Sequence, residues 1–141
     1  MMAAVDTNVL VGLLEGEVDL ANRLALMLDR LAQHGTVLIA PVVYAELLAA
    51  PGRPAGLVDA LFAQTALRVD WYLEEPVWRV AGLAYRAHAQ QRQAAVAQGT
   101  PRRILADFII GAHAEVRQAT LLTWDTDIYR TYFPDLQTVA P

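Results

Sequence analysis

The stretch Met2-Ala3-Ala4-Val5-Asp6-Thr7-Asn8-Val9-Leu10 decides how the rest of the chain is read. Four apolar residues end abruptly in three polar ones. A short apolar run of this kind reads as a buried strand, and its C-terminal end delivers Asp6, Thr7 and Asn8 to a sheet edge. Val9 to Leu14 is apolar again, until Glu15-Gly16-Glu17 breaks the pattern. A second buried strand is expected at Val37 to Ala40, and further short strands at Leu67 to Val69, Thr120 to Thr123 and Gln137 to Val139. Between them lie helical patterns at Val18 to Gln33, Val42 to Ala50, Ala55 to Ala66, Pro76 to Ala97, Ile104 to Ala119 and Asp125 to Tyr132. In the long fourth pattern, Val77, Val80, Leu83, Ala84 and Ala87 form the apolar stripe. Strands alternating with helices argue an α/β fold with a mainly parallel sheet. There is no internal repeat, low-complexity tract or linker. Pro51-Gly52-Arg53-Pro54 and Gly99-Thr100-Pro101 read as loops, and residues 1–141 are expected to form one domain.

Composition narrows the class. The 141 residues contain no cysteine, which excludes a disulfide scaffold, a thiolate zinc site and a cysteine nucleophile. Hydrophobic residues make up 55% and charged residues 18%, which excludes disorder and favours a partner or self-association. The net charge is −4, and all eleven basic residues are arginine; on charge alone, nucleic acid is the wrong partner. The longest nearly apolar run, Val37 to Ala45, is interrupted by Pro41 and is far short of the roughly 20 residues a spanning helix needs. No basic region precedes the first apolar stretch, so a cytoplasmic location is expected.

Four of the fifteen acids stand inside apolar sequence: Asp6, Glu46, Asp107 and Asp125. Acids are rarely buried unless paired or bound to a metal. Asp6 and Asp125 directly follow expected strands. In a parallel sheet both strand ends open on one edge, where α/β proteins place ligands. Glu46 and Asp107 lie early in helices that can begin at that edge. Taken alone, Asp6 is as well explained as a helix N-cap. Four carboxylates together raise one another's pKa, and a divalent cation resolves the conflict. All-oxygen ligation favours Mg²⁺ or Mn²⁺ over zinc, and such sites turn over phosphodiesters with a metal-activated water. The cation also supplies the positive charge that the composition lacks.

With these residues in view, the sequence resembles the PIN-domain ribonucleases, specifically the VapC-like toxins of bacterial type II toxin–antitoxin pairs. The resemblance spans nearly the whole chain. It is carried by Val5-Asp6-Thr7-Asn8-Val9-Leu10, Ala45-Glu46-Leu47, Ala106-Asp107-Phe108-Ile109-Ile110-Gly111-Ala112-His113-Ala114, and Leu121-Leu122-Thr123-Trp124-Asp125-Thr126-Asp127 with Tyr132-Phe133-Pro134 beyond. It implies a small α/β/α sandwich and Mg²⁺- or Mn²⁺-dependent endonucleolytic cleavage of RNA. Asp6, Glu46, Asp107 and Asp125 then match an acidic quartet, and Asp127 a position that can reach a second metal. Thr7 or Asn8 would support the Asp6 carboxylate, and Thr123 a ligand carboxylate or a metal water. Trp124 departs from the polar or basic residue common among relatives. The resemblance further implies a homodimer and a small antitoxin partner.

Other residues are weighed individually. Arg102 and Arg103 precede the Asp107 helix and are candidates for gripping an RNA phosphate. Arg86 and Arg92 read as a solvated helix face. Trp71, Tyr72, Trp78 and Tyr85 read as core or dimer packing in preference to base stacking. His34 is expected to cap its helix and His88 to be exposed. His113 lies six residues beyond Asp107, about 120° around the helix, and is not expected to be a ligand. Two other functions carry less weight: a metal-dependent nuclease acting on DNA or flapped ends, and a PIN-fold RNA-binding module without activity.

Overall fold

The structure is a computed structural model and describes residues 1–94 and 103–141. Five strands form one sheet: β1 (Met2–Val5), β2 (Thr36–Ile39), β3 (Leu67–Val69), β4 (Thr120–Leu122) and β5 (Thr138–Val139). Their order is β3-β2-β1-β4-β5, and every pairing is parallel. The central strand β1 pairs Ala4 with Leu38 of β2 on one side and with Leu121 of β4 on the other. Ala3, Ala4 and Val5 are all buried, as a strand covered on both faces requires.

Seven helices surround the sheet among the described residues: α1 (Thr7–Glu15), α2 (Val18–His34), α3 (Pro41–Ala49), α4 (Ala55–Gln64), α5 (Glu75–Ala94), α6 (Leu105–Val116) and α7 (Thr126–Tyr132). The strand order grows outward from β1 through β2 to β3, then reverses to β4 and β5. Right-handed crossovers place helices on opposite faces before and after such a reversal. In keeping with this, α1 packs on α2, and α5 packs on α6 and α7. The result is the α/β architecture with a parallel central sheet expected from the sequence. No helix among the described residues is long and apolar enough to cross a membrane.

The apolar stretch after Asn8 belongs to a helix, α1, which starts at Thr7 and buries Val9 and Leu10. Other local expectations need correction. On α5 the buried stripe is Val77, Ala81, Ala84 and His88, whereas Leu83 is exposed. That spacing turns His88 inward, contrary to the exposure expected for it. Its ring packs between Tyr85, Phe108 and Tyr132. Trp71, Tyr72 and Trp78 are 52–76% exposed and so lie outside the core. Tyr85 packs edge-on against Phe108. His34 does bond the Arg30 carbonyl at the end of α2 (2.7 Å). The Gly99-Thr100-Pro101 loop, the last residues of the expected Pro76–Ala97 helix and Arg102 lie outside the described residues.

Packing fixes α6 closely against α7. A Cβ on Gly111 would fall inside the ring of Phe133, which is itself buried. Only glycine lets the α6 backbone approach that ring, and this holds the middle of α6 against the residue that ends α7.

Candidate metal centre

The strand order reverses between β1 and β4, so their C-terminal ends flank the crevice where open α/β sheets place ligands. Asp6 follows β1 there, and Thr123 and Asp125 follow β4. Asp6 occupies the N-cap position of α1, yet its side chain makes no capping bond. Its Oδ2 instead accepts hydrogen bonds from the hydroxyls of Thr123 (2.7 Å) and Tyr129 (3.0 Å). The N-cap explanation for this acid is therefore not the one the structure realises. Asp6 is 5% exposed. Burial pushes its pKa up; the hydroxyls of Thr123 and Tyr129 pull it down, and Glu46 pushes it up further.

Asp107 sits in the first turn of α6. Burial, then the charges of Asp6 and Glu46, raise its pKa to about 6, against the pull of Arg103. Glu46, on α3, accepts a 2.6 Å bond from the Thr7 hydroxyl. Asp125 takes the N-cap position of α7 without a side-chain cap. Its Oδ2 accepts from Arg103 Nη1 at 2.7 Å, and its N–H donates to Thr123 Oγ1 at 3.0 Å. The Tyr129 hydroxyl reports the convergence from the centre. Burial, then the charges of Asp6, Asp107 and Asp125, drive its pKa far upward, so it stays a neutral donor. Asp127 is exposed in the first turn of α7, where its carbonyl accepts the Thr131 hydroxyl (2.8 Å).

The supporting residues are distributed differently from the sequence expectation. The Thr7 hydroxyl supports Glu46, while its main chain bonds the Asp6 carboxylate. Asn8 bridges two groups, donating to Thr123 Oγ1 (3.4 Å) and accepting from the Trp124 N–H (3.3 Å). Thr123 is fully buried and links Asp6, Asn8 and the Asp125 main chain. Tyr129 is the residue that sequence reasoning missed. Its signal was available: it lies four residues after Asp125 on a helix, hence on the same face.

The donor set fits a hard divalent cation in chemistry: carboxylates only, with mutual repulsion visible at Asp107. It does not yet have ligating spacing. Among the described residues, no three His, Cys, Asp or Glu side chains stand together as ligands of one ion would. The carboxylates are held by protein donors instead, Glu46 by Thr7 and Asp125 by Arg103. Ligation would require those side chains to turn toward Asp6 and Asp107.

A second ionic cluster lies at the far end of α6. Asp70, just after β3, accepts from His113 Nε2 (3.1 Å) and Arg117 Nε (2.6 Å), and Arg117 also holds the Tyr72 carbonyl (2.9 Å). His113 therefore anchors a loop and stands outside the quartet.

Comparison with known proteins places the fold. Among curated protein sequences no relative matches. Among solved structures, VapBC2 of Rickettsia felis bound to a promoter DNA fragment contains a chain of similar fold. The two share 20% identity, with 100% of this chain and 99% of that one covered, at a TM-score of 0.68. VapBC-1 of nontypeable Haemophilus influenzae gives 21% identity, 99% and 98% coverage, and a TM-score of 0.65. FitAcB of Neisseria gonorrhoeae gives 22%, 98% and 96%, and 0.57. At these identities the likeness is one of fold. The sequence profile of the PIN domain matches residues 3–134, nearly the full chain, and with it the protein belongs to the PIN domain family.

Proposed function

We propose that this protein is a Mg²⁺- or Mn²⁺-dependent endoribonuclease, the toxin of a type II toxin–antitoxin pair. The observation that carries the proposal is the convergence of acids from separate elements at the β1/β4 crevice, where burial, with the charges of Asp6 and Glu46 added, raises the Asp107 pKa to about 6. A site that concentrates negative charge at buried and partly buried carboxylates is suited to a divalent cation. Asp6, Glu46, Asp107 and Asp125 would hold it, with Asp127 at the rim for a second ion. When bound, a divalent cation would neutralise these carboxylates and would supply the acidity that hydrolysis of a phosphodiester by water requires. The chain's own groups prepare the site. Thr123 and Tyr129 fix one oxygen of Asp6, Thr7 orients Glu46, and Arg103 offers a guanidinium suited to a phosphate oxygen. Support for an antitoxin partner comes from the fold's likeness to chains solved as VapBC and FitAB assemblies. The low charged fraction is consistent with a homodimer, and the whole chain with a cytoplasmic protein of one domain.

The test is cleavage of cellular RNA by the purified protein with Mg²⁺ or Mn²⁺, with 5′ ends mapped by sequencing. Asp6→Asn and Asp107→Asn are each expected to abolish cleavage and cell toxicity while retaining the wild-type circular dichroism spectrum. Either variant cleaving like the wild type would sink the assignment.

A further inference from the structure

We infer that Arg103 is an internal counter-ion that stands on Asp125 and must leave it when a divalent cation enters. The inference rests on the metal reading of the crevice and concerns how the site is loaded.

The carboxylate of Asp125 does not cap α7; its recorded side-chain partner is Arg103 Nη1, at 2.7 Å. Both side chains are about one-third exposed, at 33% and 38%, so the pair opens without disturbing the core. The Arg103 main chain, by contrast, is anchored. Its N–H donates to His88 Nε2 at 3.0 Å. Because that nitrogen accepts, the neutral ring carries its proton on Nδ1 and donates to the Tyr132 oxygen (2.8 Å). Tyr132 in turn donates to Gln91 (2.7 Å). His88 is buried against Phe108 and Tyr132, and burial keeps it neutral, with Arg92 and Arg103 reinforcing the effect. The backbone at residue 103 is thus fixed while the guanidinium is free to swing.

Paired with Asp125, the guanidinium neutralises part of the charge a cation would neutralise. A guanidinium and a divalent ion on one carboxylate repel each other and compete for its charge, which favours release of Arg103 from Asp125 when a cation binds. Arg103 is a positioning residue in the cation-free site. Once displaced, its five N–H donors are available at the mouth of the crevice for a phosphate. His88 sets where that donor fork stands.

The test measures Mn²⁺ binding to the full chain by electron paramagnetic resonance, for wild type, Arg103→Gln and Arg103→Lys. Arg103→Gln is expected to bind Mn²⁺ about threefold more tightly, the factor that loss of a part-exposed ion pair implies. Arg103→Lys, which keeps the charge, is expected to stay near wild type. Wild-type binding with equal or weaker binding by Arg103→Gln overturns the inference and leaves the metal reading standing. No Mn²⁺ binding by the wild type overturns the metal reading, and the inference with it. A second measurement needs no variant: the Arg103 Nε–Hε resonance of the wild type is expected to move as Mg²⁺ is added. A resonance that stays in place while Mg²⁺ binds overturns the exchange.

Discussion

At the scale of single residues, Thr123 is the hinge of the site. Its hydroxyl has one proton, which goes to Asp6 Oδ2, and two lone pairs, which meet the Asp125 N–H and the Asn8 amide. All capacity is used, and the residue is fully buried. Groups that orient ligands in this way are typically worth ten- to a hundredfold in metal affinity. Thr123→Val keeps the volume and removes the bonds. It is expected to weaken Mn²⁺ binding about tenfold and to cost about 1–2 kcal/mol in stability, since the Asp125 N–H loses its acceptor. Thr123→Ser is expected to recover both. Titration and urea denaturation read the two effects, and a Thr123→Val protein with wild-type affinity would remove Thr123 from the site. The residue types at the ends of β1 and β4 were readable from sequence. Which hydroxyl meets which carboxylate was not, because Thr7 and Asn8 leave the first turn of α1 in different directions. Tyr129 escaped notice because a tyrosine in an amphipathic helix reads first as core.

At the scale of elements, β1, β2 and β4 were legible because each is a short, largely apolar run, the signature of a parallel sheet covered on both sides. Helix faces were less legible where alanine dominates. On α5 the true stripe of Val77, Ala81, Ala84 and His88 follows the i, i+4, i+7, i+11 spacing, but small alanines elsewhere on the helix offered a competing stripe. The far end of α6 makes a prediction at this scale. His113 is buried with its Nδ1 unpartnered, and burial lowers its pKa below 6.5 despite Asp70. Below pH 6.5 the unfolded chain therefore binds a proton that the native ring resists, and stability falls. Asp70 is shifted below 3.8: burial opposes the shift, but the bonds from Arg117 and His113 prevail. Its contribution is present above pH 3.8 and lost as pH falls through the folded value. Both groups make acid destabilising. The raised pKa of Asp107 acts the other way, gaining stability as pH falls from about 6. The informative quantity is thus a difference. His113→Gln keeps an N–H donor for Asp70 but does not titrate. Between pH 7.5 and 5, wild type is expected to lose more stability than this variant by urea denaturation. Parallel losses would mean that His113 does not resist protonation.

At the scale of the whole molecule, a net charge of −4 first argues against a nucleic-acid partner, and the placement of that charge reverses the argument. A fold that reverses strand order between β1 and β4 gathers acids from distant parts of the chain into one crevice, and bears their repulsion in its own stability. At pH 7.5 Asp107 is ionised above its pKa of about 6, where burial and its neighbours oppose the charge. Asp107→Asn removes that opposition. In chelator the variant is expected to be more stable than wild type by about 1 kcal/mol, after allowance for partial exposure of the site. For a protein of this size that is roughly 2–4 °C in Tm. A cation that binds only the native state then adds RT ln(1 + [M]/Kd), about 2.7 kcal/mol at a hundredfold excess over Kd. Wild type collects that gain and the variant, with a weaker ligand set, collects less. The order of melting temperatures is therefore expected to invert: variant above wild type in chelator, wild type above variant in saturating Mg²⁺. Differential scanning calorimetry under the two conditions checks this without any RNA. If the variant stays above wild type at every Mg²⁺ concentration, the crevice is not relieved by a cation, and the reason for gathering its acids must be sought elsewhere.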